Sequence, residues 1–152
     1  MRSPGGRAGV GAGTVHRHFP TKDELFQAVI ADRLQELTDL ARDLAAGPDA
    51  GSVFFGFLHR LADDAYENLA LSAALSTPAD PAGAVLHAGA ELEAALGTLL
   101  ARAQQAGAVR PELDTRDLHA ILAGALVMEQ RLPPSSRGRG LDVVLSGLRP
   151  DR

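Results

Sequence analysis

Residues 8–25 read AGVGAGTVHRHFPTKDEL, the chain's densest run of side chains able to grip a phosphate or a base edge. Thr14, His16, Arg17 and His18 fall together, and Lys22 follows Pro20. No acid precedes Asp23, so the first 22 residues, with Arg2, Arg7, Arg17 and Lys22, are locally basic. The whole chain carries a net charge of −4, so any nucleic-acid contact has to be local. Gly9 and Gly11 flank Val10 and mark a tight turn. Residues 14–19 then have room for under two helical turns before Pro20 breaks the chain. A compact basic helix behind a turn suits a major groove. The free N–H groups that begin the next helix, beside Lys22, suit a backbone phosphate.

A second group could bind a small molecule. Phe54, Phe55, Phe57 and Tyr66 are four of the six aromatic residues. With Leu58, His59 and His87 they offer an apolar wall and scattered polar groups, as ligand pockets do. Phe54, Phe57, Leu58, His59, Tyr66 and His87 are therefore the candidate ligand-binding residues. Partial burial at a helix edge is the plainer alternative for each polar member.

Other chemistry is thin. His16 and His18, two apart, point to different faces of a helix and make a poor metal pair. Asp63 and Asp64 are neighbours that do not face each other, so they form no catalytic carboxylate pair. There is no cysteine, no glycine-rich phosphate loop and no recognisable Ser/His/Asp spacing. No enzyme, cofactor or metal is expected. The charges from Asp32 to Asp43 read as the solvated face of a helix, and His119 as a core or interface residue.

These groups need helices to position them. Thr21 and Glu24 have capping-box spacing, and a long amphipathic helix should follow to about residue 46, with Phe26, Ile30, Leu34, Leu37, Ala41 and Leu44 in phase. Gly47 and Pro48 stop it. Ser52 can cap a second helix over residues 53–69, and residues 70–75 could add a helical turn or continue it. Residues 76–81, STPADP, form a loop by composition. A third helix spans about 82–106, with Val85, Leu86, Leu92, Leu96 and Leu99 inward and Gly107 as C-cap. Asp114 can cap a fourth, to about residue 131. It is apolar over more than one face, which suits burial against a second copy of the chain. A glycine- and proline-rich loop over 132–140 precedes a short last helix, 141–148. No strand pattern occurs. The fold class is all-α.

The stretch at 8–25 resembles the second half of the helix-turn-helix of TetR-type transcriptional regulators. That family's pattern runs A-G-V-S-x-G-T-[LV]-Y-x-[HY]-F-x-[ST]-K-x-x-L. Ala8, Gly9, Val10, Gly13, Thr14, Val15, His18, Phe19, Thr21, Lys22 and Leu25 match it. Gly11 stands for the usual Ser and His16 for the usual Tyr. The matched region covers about an eighth of the chain; the remainder is similar only in helical layout.

The resemblance implies DNA contacts from Gly11, Thr14, Val15, His16, Arg17, His18 and Lys22. It implies a partial helix-turn-helix head with connecting helix at 1–46 and a ligand-binding and dimerisation bundle at 47–152. It also implies a homodimer whose last two helices pair with their copies, through Leu118, Leu122, Leu126, Leu141, Val144 and Leu145. In the family a first helix and a scaffold helix precede the matched stretch. Here MRSPGGR precedes it, without apolar periodicity, so the head reads as incomplete and its hold on operator DNA as weak.

The expected function is thus a regulator, a repressor in type, released from operator DNA by a small apolar or amphipathic ligand. The alternative is a ligand-binding dimerisation module that cannot hold operator DNA by itself. No signal-peptide pattern opens the chain, and the apolar run at 120–128 is too short to cross a bilayer. A soluble cytoplasmic protein without membrane partners is expected.

Overall fold

The computed structural model describes residues 21–68 and 83–151. Among them all regular structure is helical: α1 (Lys22–Ala45), α2 (Ala50–Glu67), α3 (Gly83–Gln105), α4 (Thr115–Gln130), a 3-10 turn (Pro134–Ser136) and α5 (Arg139–Ser146). The expected loop at 76–81 and the helical turn before it lie outside the described residues.

Local signals set most boundaries. The Thr21 hydroxyl accepts from the Glu24 N–H at 3.0 Å and starts α1. Asp114 and Asp117 form a reciprocal capping box on α4, with N–H to carboxylate distances of 2.9 and 3.0 Å. Gly107, at φ +77, ends α3 in a Schellman arrangement. There Ala108 N–H bonds the Ala103 carbonyl and Gly107 N–H that of Gln104.

Two starts differ from expectation. α2 begins at Ala50, not after Ser52; Asp49 takes the N-cap place in the left-handed region and makes no side-chain cap. α5 begins at Arg139 because Gly138, at φ +94, turns the chain into it.

α1 packs chiefly on α3, through Ile30, Leu34, Leu37 and Ala41. Phe54, Phe57 and Leu58 of α2 share the core with Leu92, Leu96, Leu99 and Leu100 of α3. Leu118 and Leu126 of α4 and Leu141 and Leu145 of α5 close it. Phe26, expected on the inward stripe, is 58% exposed, and Leu25 and Val29 stand exposed beside it. Leu86 is also exposed, because it lies about 100° round the helix from Val85, which is buried with Ala88 and Leu92. α3 is long and apolar enough to cross a membrane by length and composition, but its apolar stripe is this core.

Candidate functional site

Gly11, Thr14, Val15, His16, Arg17 and His18 lie outside the described residues. Lys22 is the first residue of α1, exposed, directly after the cap. The start of α1 thus carries the Thr21 cap that the sequence spacing implied.

The ligand-binding candidates scatter. Phe54, Phe57 and Leu58 are fully buried, and Phe54 meets Phe55 edge-on at 5.2 Å between ring centres. Leu58 lines a cavity of about 40 Å³ with Leu61, Leu96, Leu122, Leu126 and Leu141; His119 is its polar member. His119 is half exposed, with its ring 3.7 Å from Glu93, and so stands at the edge of the core. Phe57 does not line this cavity. His87, with its side chain 78% exposed, pairs with Glu91 on its own helix. The structure does not bring His87 together with the aromatic group.

Tyr66 has a different role. Its hydroxyl donates to Glu129 Oε1 at 2.7 Å, and Arg137 stacks over its ring at 4.9 Å. Glu129 is fully buried. Its Oε1 also accepts from Gly138 N–H, and its Oε2 accepts from Leu141 N–H at 3.1 Å. A Cβ at Gly140 would come within 2.7 Å of the Met128 terminal methyl and 2.9 Å of Glu129 Oε2, so a side chain there would have to displace the end of Met128 and press on the clamp carboxylate. Burial opposes ionisation of Glu129, but donors from Gly138, Tyr66, Leu141 and Gly140 outweigh it and hold its carboxyl below the usual range. Burial, and then the Glu129 carboxylate, push the Tyr66 hydroxyl far up. The result is a clamp that seats the α4–α5 connection on α2.

His59 ties α2 to α5. Its Nδ1 lies 2.9 Å from the Phe55 carbonyl and its Nε2 3.0 Å from Asp142 Oδ1. Both neighbours only accept, so the doubly protonated ring satisfies both. The Asp142 bond raises the His59 pKa; partial burial opposes it, and the Phe55 carbonyl adds to it.

Asp64 is buried and bridged. Its Oδ1 is 2.5 Å from Arg33 Nη2 of α1, and its Oδ2 is 3.4 Å from Arg60 Nε, one turn back on α2. A polar groove of about 550 Å³ opens beside these three residues, lined also by Asp63, Glu67 and Asn68. Arg33 is the member of the charged run of α1 that turns to the body; Asp32, Glu36, Asp39, Arg42 and Asp43 are exposed.

Of the dimerisation candidates, Leu118, Leu126, Leu141 and Leu145 are buried in the chain's own core, and Leu122 and Val144 are partly buried against it. The large apolar side chains that α4 and α5 leave exposed are Val127 and Val143, the latter 72% exposed. Among the described residues no group of three or more His, Cys, Asp or Glu could hold a metal ion.

Comparison with known proteins bears on both ends of the chain. Residues 49–150 match the family model "Transcriptional regulator SbtR-like, C-terminal domain", and residues 6–29 match "Bacterial regulatory proteins, tetR family". The TetR transcriptional regulator SCO0520 from Streptomyces coelicolor is 31% identical, with a TM-score of 0.70 over 94% of this chain and 83% of that one. A TetR transcription regulatory protein from Mycobacterium vanbaalenii is 38% identical, with a TM-score of 0.63 over 93% of this chain and 77% of that one. No curated protein matches the chain.

Proposed function

The chain belongs to the TetR family of bacterial transcriptional regulators, and we propose that it is a repressor that a small apolar or amphipathic ligand releases from operator DNA. It has no catalytic task and acts as a homodimer. The observation that carries the reading is α1. Its capped start, with Lys22, lies in the region matched to the TetR DNA-binding model, and from Ile30 to Ala41 it is part of the body's core. One rigid element therefore joins the end that would meet DNA to the part that would meet a ligand. A ligand that favours one placement of α1 over another changes DNA affinity by that difference.

The dimer surface is the exposed side of α4 and α5, around Val127 and Val143, with the partly buried Leu122 and Val144 at its edge. Lys22 holds a phosphate, and Thr14, His16, Arg17 and His18 meet the groove.

The test begins with DNA selected by the purified chain from a random oligonucleotide pool. Preference for the selected duplex over a shuffled one, and its loss on adding a compound that raises the melting temperature, are the expected results. A chain that selects no sequence leaves the DNA-contacting reading without support and favours the dimerisation-module alternative. Stabilising compounds that leave bound DNA in place refute ligand release.

A further inference from the structure

We propose that Asp64 is a positioning residue: held between Arg33 and Arg60, it sets the angle at which α1, and with it the DNA-contacting end of the chain, leaves the body. The functional half of this statement rests on the reading of α1 given above.

Asp64 has 7% of its side chain exposed, and Arg60 comes from its own helix. Arg33 is thus the partner that crosses from α1 to α2. A buried carboxylate that loses a partner is left uncompensated at high cost, so Asp64 holds the Arg33 guanidinium firmly. Arg33 stands in the stretch where α1 enters the core: Ile30, Leu34 and Leu37 are buried, whereas Leu25, Phe26 and Val29 toward its start are exposed. Another polar tie, Arg102 Nη2 to the Gly47 carbonyl at 3.0 Å, grips the region just past the far end of α1. Of these two links, Arg33–Asp64 is the nearer to the DNA-contacting end.

The lever is long enough to matter. Arg33 is eleven residues from Lys22, or about 16 Å of helix at 1.5 Å per residue. A tilt of about 10° at Arg33 would move Lys22 by about 3 Å, beyond the ~0.5 Å tolerance of a well-built recognition site.

Among the described residues a polar groove opens beside Arg33 and Asp64. Arg33 holds a second carboxylate at the same time, Glu36 on its own helix, at 3.2 Å, so the guanidinium stays paired when Asp64 is replaced.

The chain has no cysteine, so Glu24→Cys and Ser52→Cys, both at exposed positions, give clean sites for spin labels on α1 and α2. Pulsed-EPR distances are measured on the full chain, labelled molecules being diluted with unlabelled ones. The parent should give one narrow distribution. Asp64→Asn and Arg33→Gln should each shift or broaden it, and Glu36→Gln should leave it unchanged. A lower melting temperature with an unchanged distribution means that Asp64 only stabilises the fold, and overturns the proposal. Should Asp64→Asn fail to fold, Arg33→Gln, with its partly exposed side chain, decides by itself.

A second arm measures affinity for a duplex that the parent has selected. Arg33→Gln should weaken it by about tenfold at constant salt. A moved distribution with unchanged affinity overturns the link to DNA. A parent that selects no duplex refutes the DNA reading, while the distances still decide whether Asp64 sets α1.

Discussion

Glu129→Gln is the sharpest test of how the body holds its last helix. The carboxylate accepts from donors of different origin, among them Tyr66 O–H on α2, Gly138 N–H in the loop and Leu141 N–H in α5. Glutamine keeps the shape but offers one acceptor oxygen. If that oxygen serves Tyr66 and Gly138, its NH2 group faces Leu141 N–H, donor against donor. The loss is then one charge-assisted bond and one buried unpaired donor, together about 2–4 kcal/mol. For a chain of this size that lowers the melting temperature by roughly 4–16 °C, at about 2–4 °C per kcal/mol. Glu129→Ala strands these donors together and opens a cavity, and should cost more.

Urea denaturation gives the stability, and hydrogen exchange over residues 138–146 shows whether α5 is what loosens. The acid limb is a second readout. The carboxyl is depressed in the folded chain, so its contribution is present above its unfolded value, near 4.3, and lost as pH falls through the lower folded value. Glu129→Gln should flatten this acid loss. A variant within about 0.5 kcal/mol of the parent, with exchange over 138–146 unchanged, refutes the clamp.

The His59–Asp142 tie should weaken with base. The folded pKa is raised, so the contribution is complete below about 6.5 and is lost as pH rises through the higher folded value. Both partners are about half exposed or more, so the tie is worth under about 1 kcal/mol. Asp142→Asn should remove that slope in denaturation midpoints between pH 5.5 and 8; an unchanged slope excludes the pair. Leu126→Asp puts a charge into the core and should unfold the chain, seen by circular dichroism. Val143→Asp should keep the helical signal and shift light scattering toward monomer, and a dimer that survives it does not use this face.

What the sequence discloses is local. Thr21, Asp114, Asp117, Gly47 and Gly107 act within one turn of their own positions, so α1, α3 and α4 fall close to where spacing puts them. The ligand and polar groups are less legible because their partners are remote. Tyr66 meets Glu129 across 63 positions and His59 meets Asp142 across 83.

A usable signal was nevertheless present. Glu129 follows Leu118, Leu122 and Ala125 at helical spacing, and Asp64 follows Phe57 and Leu61 likewise. An acid on a buried stripe has to find donors, although the stripe does not say which. The same logic explains the dimerisation residues. Leu118, Leu126, Leu141 and Leu145 are apolar enough for an interface, but periodicity cannot tell a chain's own core from a copy's surface.

These long-range ties meet on one helix, and that bears on how a ligand could act. Leu58, Leu61 and Ala62 of α2 form one wall of the 40 Å³ cavity. Binding sites for small molecules run to about 300–1,000 Å³, so a ligand of ordinary size does not fit the cavity as it stands. It has to move a wall, and protein interiors do not yield without shifting an element. α3 is packed along α1, and α4 is fixed by its capping box and the Glu129 clamp. α2 carries Asp64, Tyr66 and His59, hence the ties to α1, to the α4–α5 loop and to α5. Work done against α2 therefore reaches the base of α1 through Arg33. A compound that stabilises the chain from this cavity should also change the label distance between positions 24 and 52, and Leu61→Trp, which fills the cavity, should abolish both effects. Stabilisation that persists in Leu61→Trp would place the compound elsewhere. Stabilisation from the cavity without a change in distance would show that α2 is not the route.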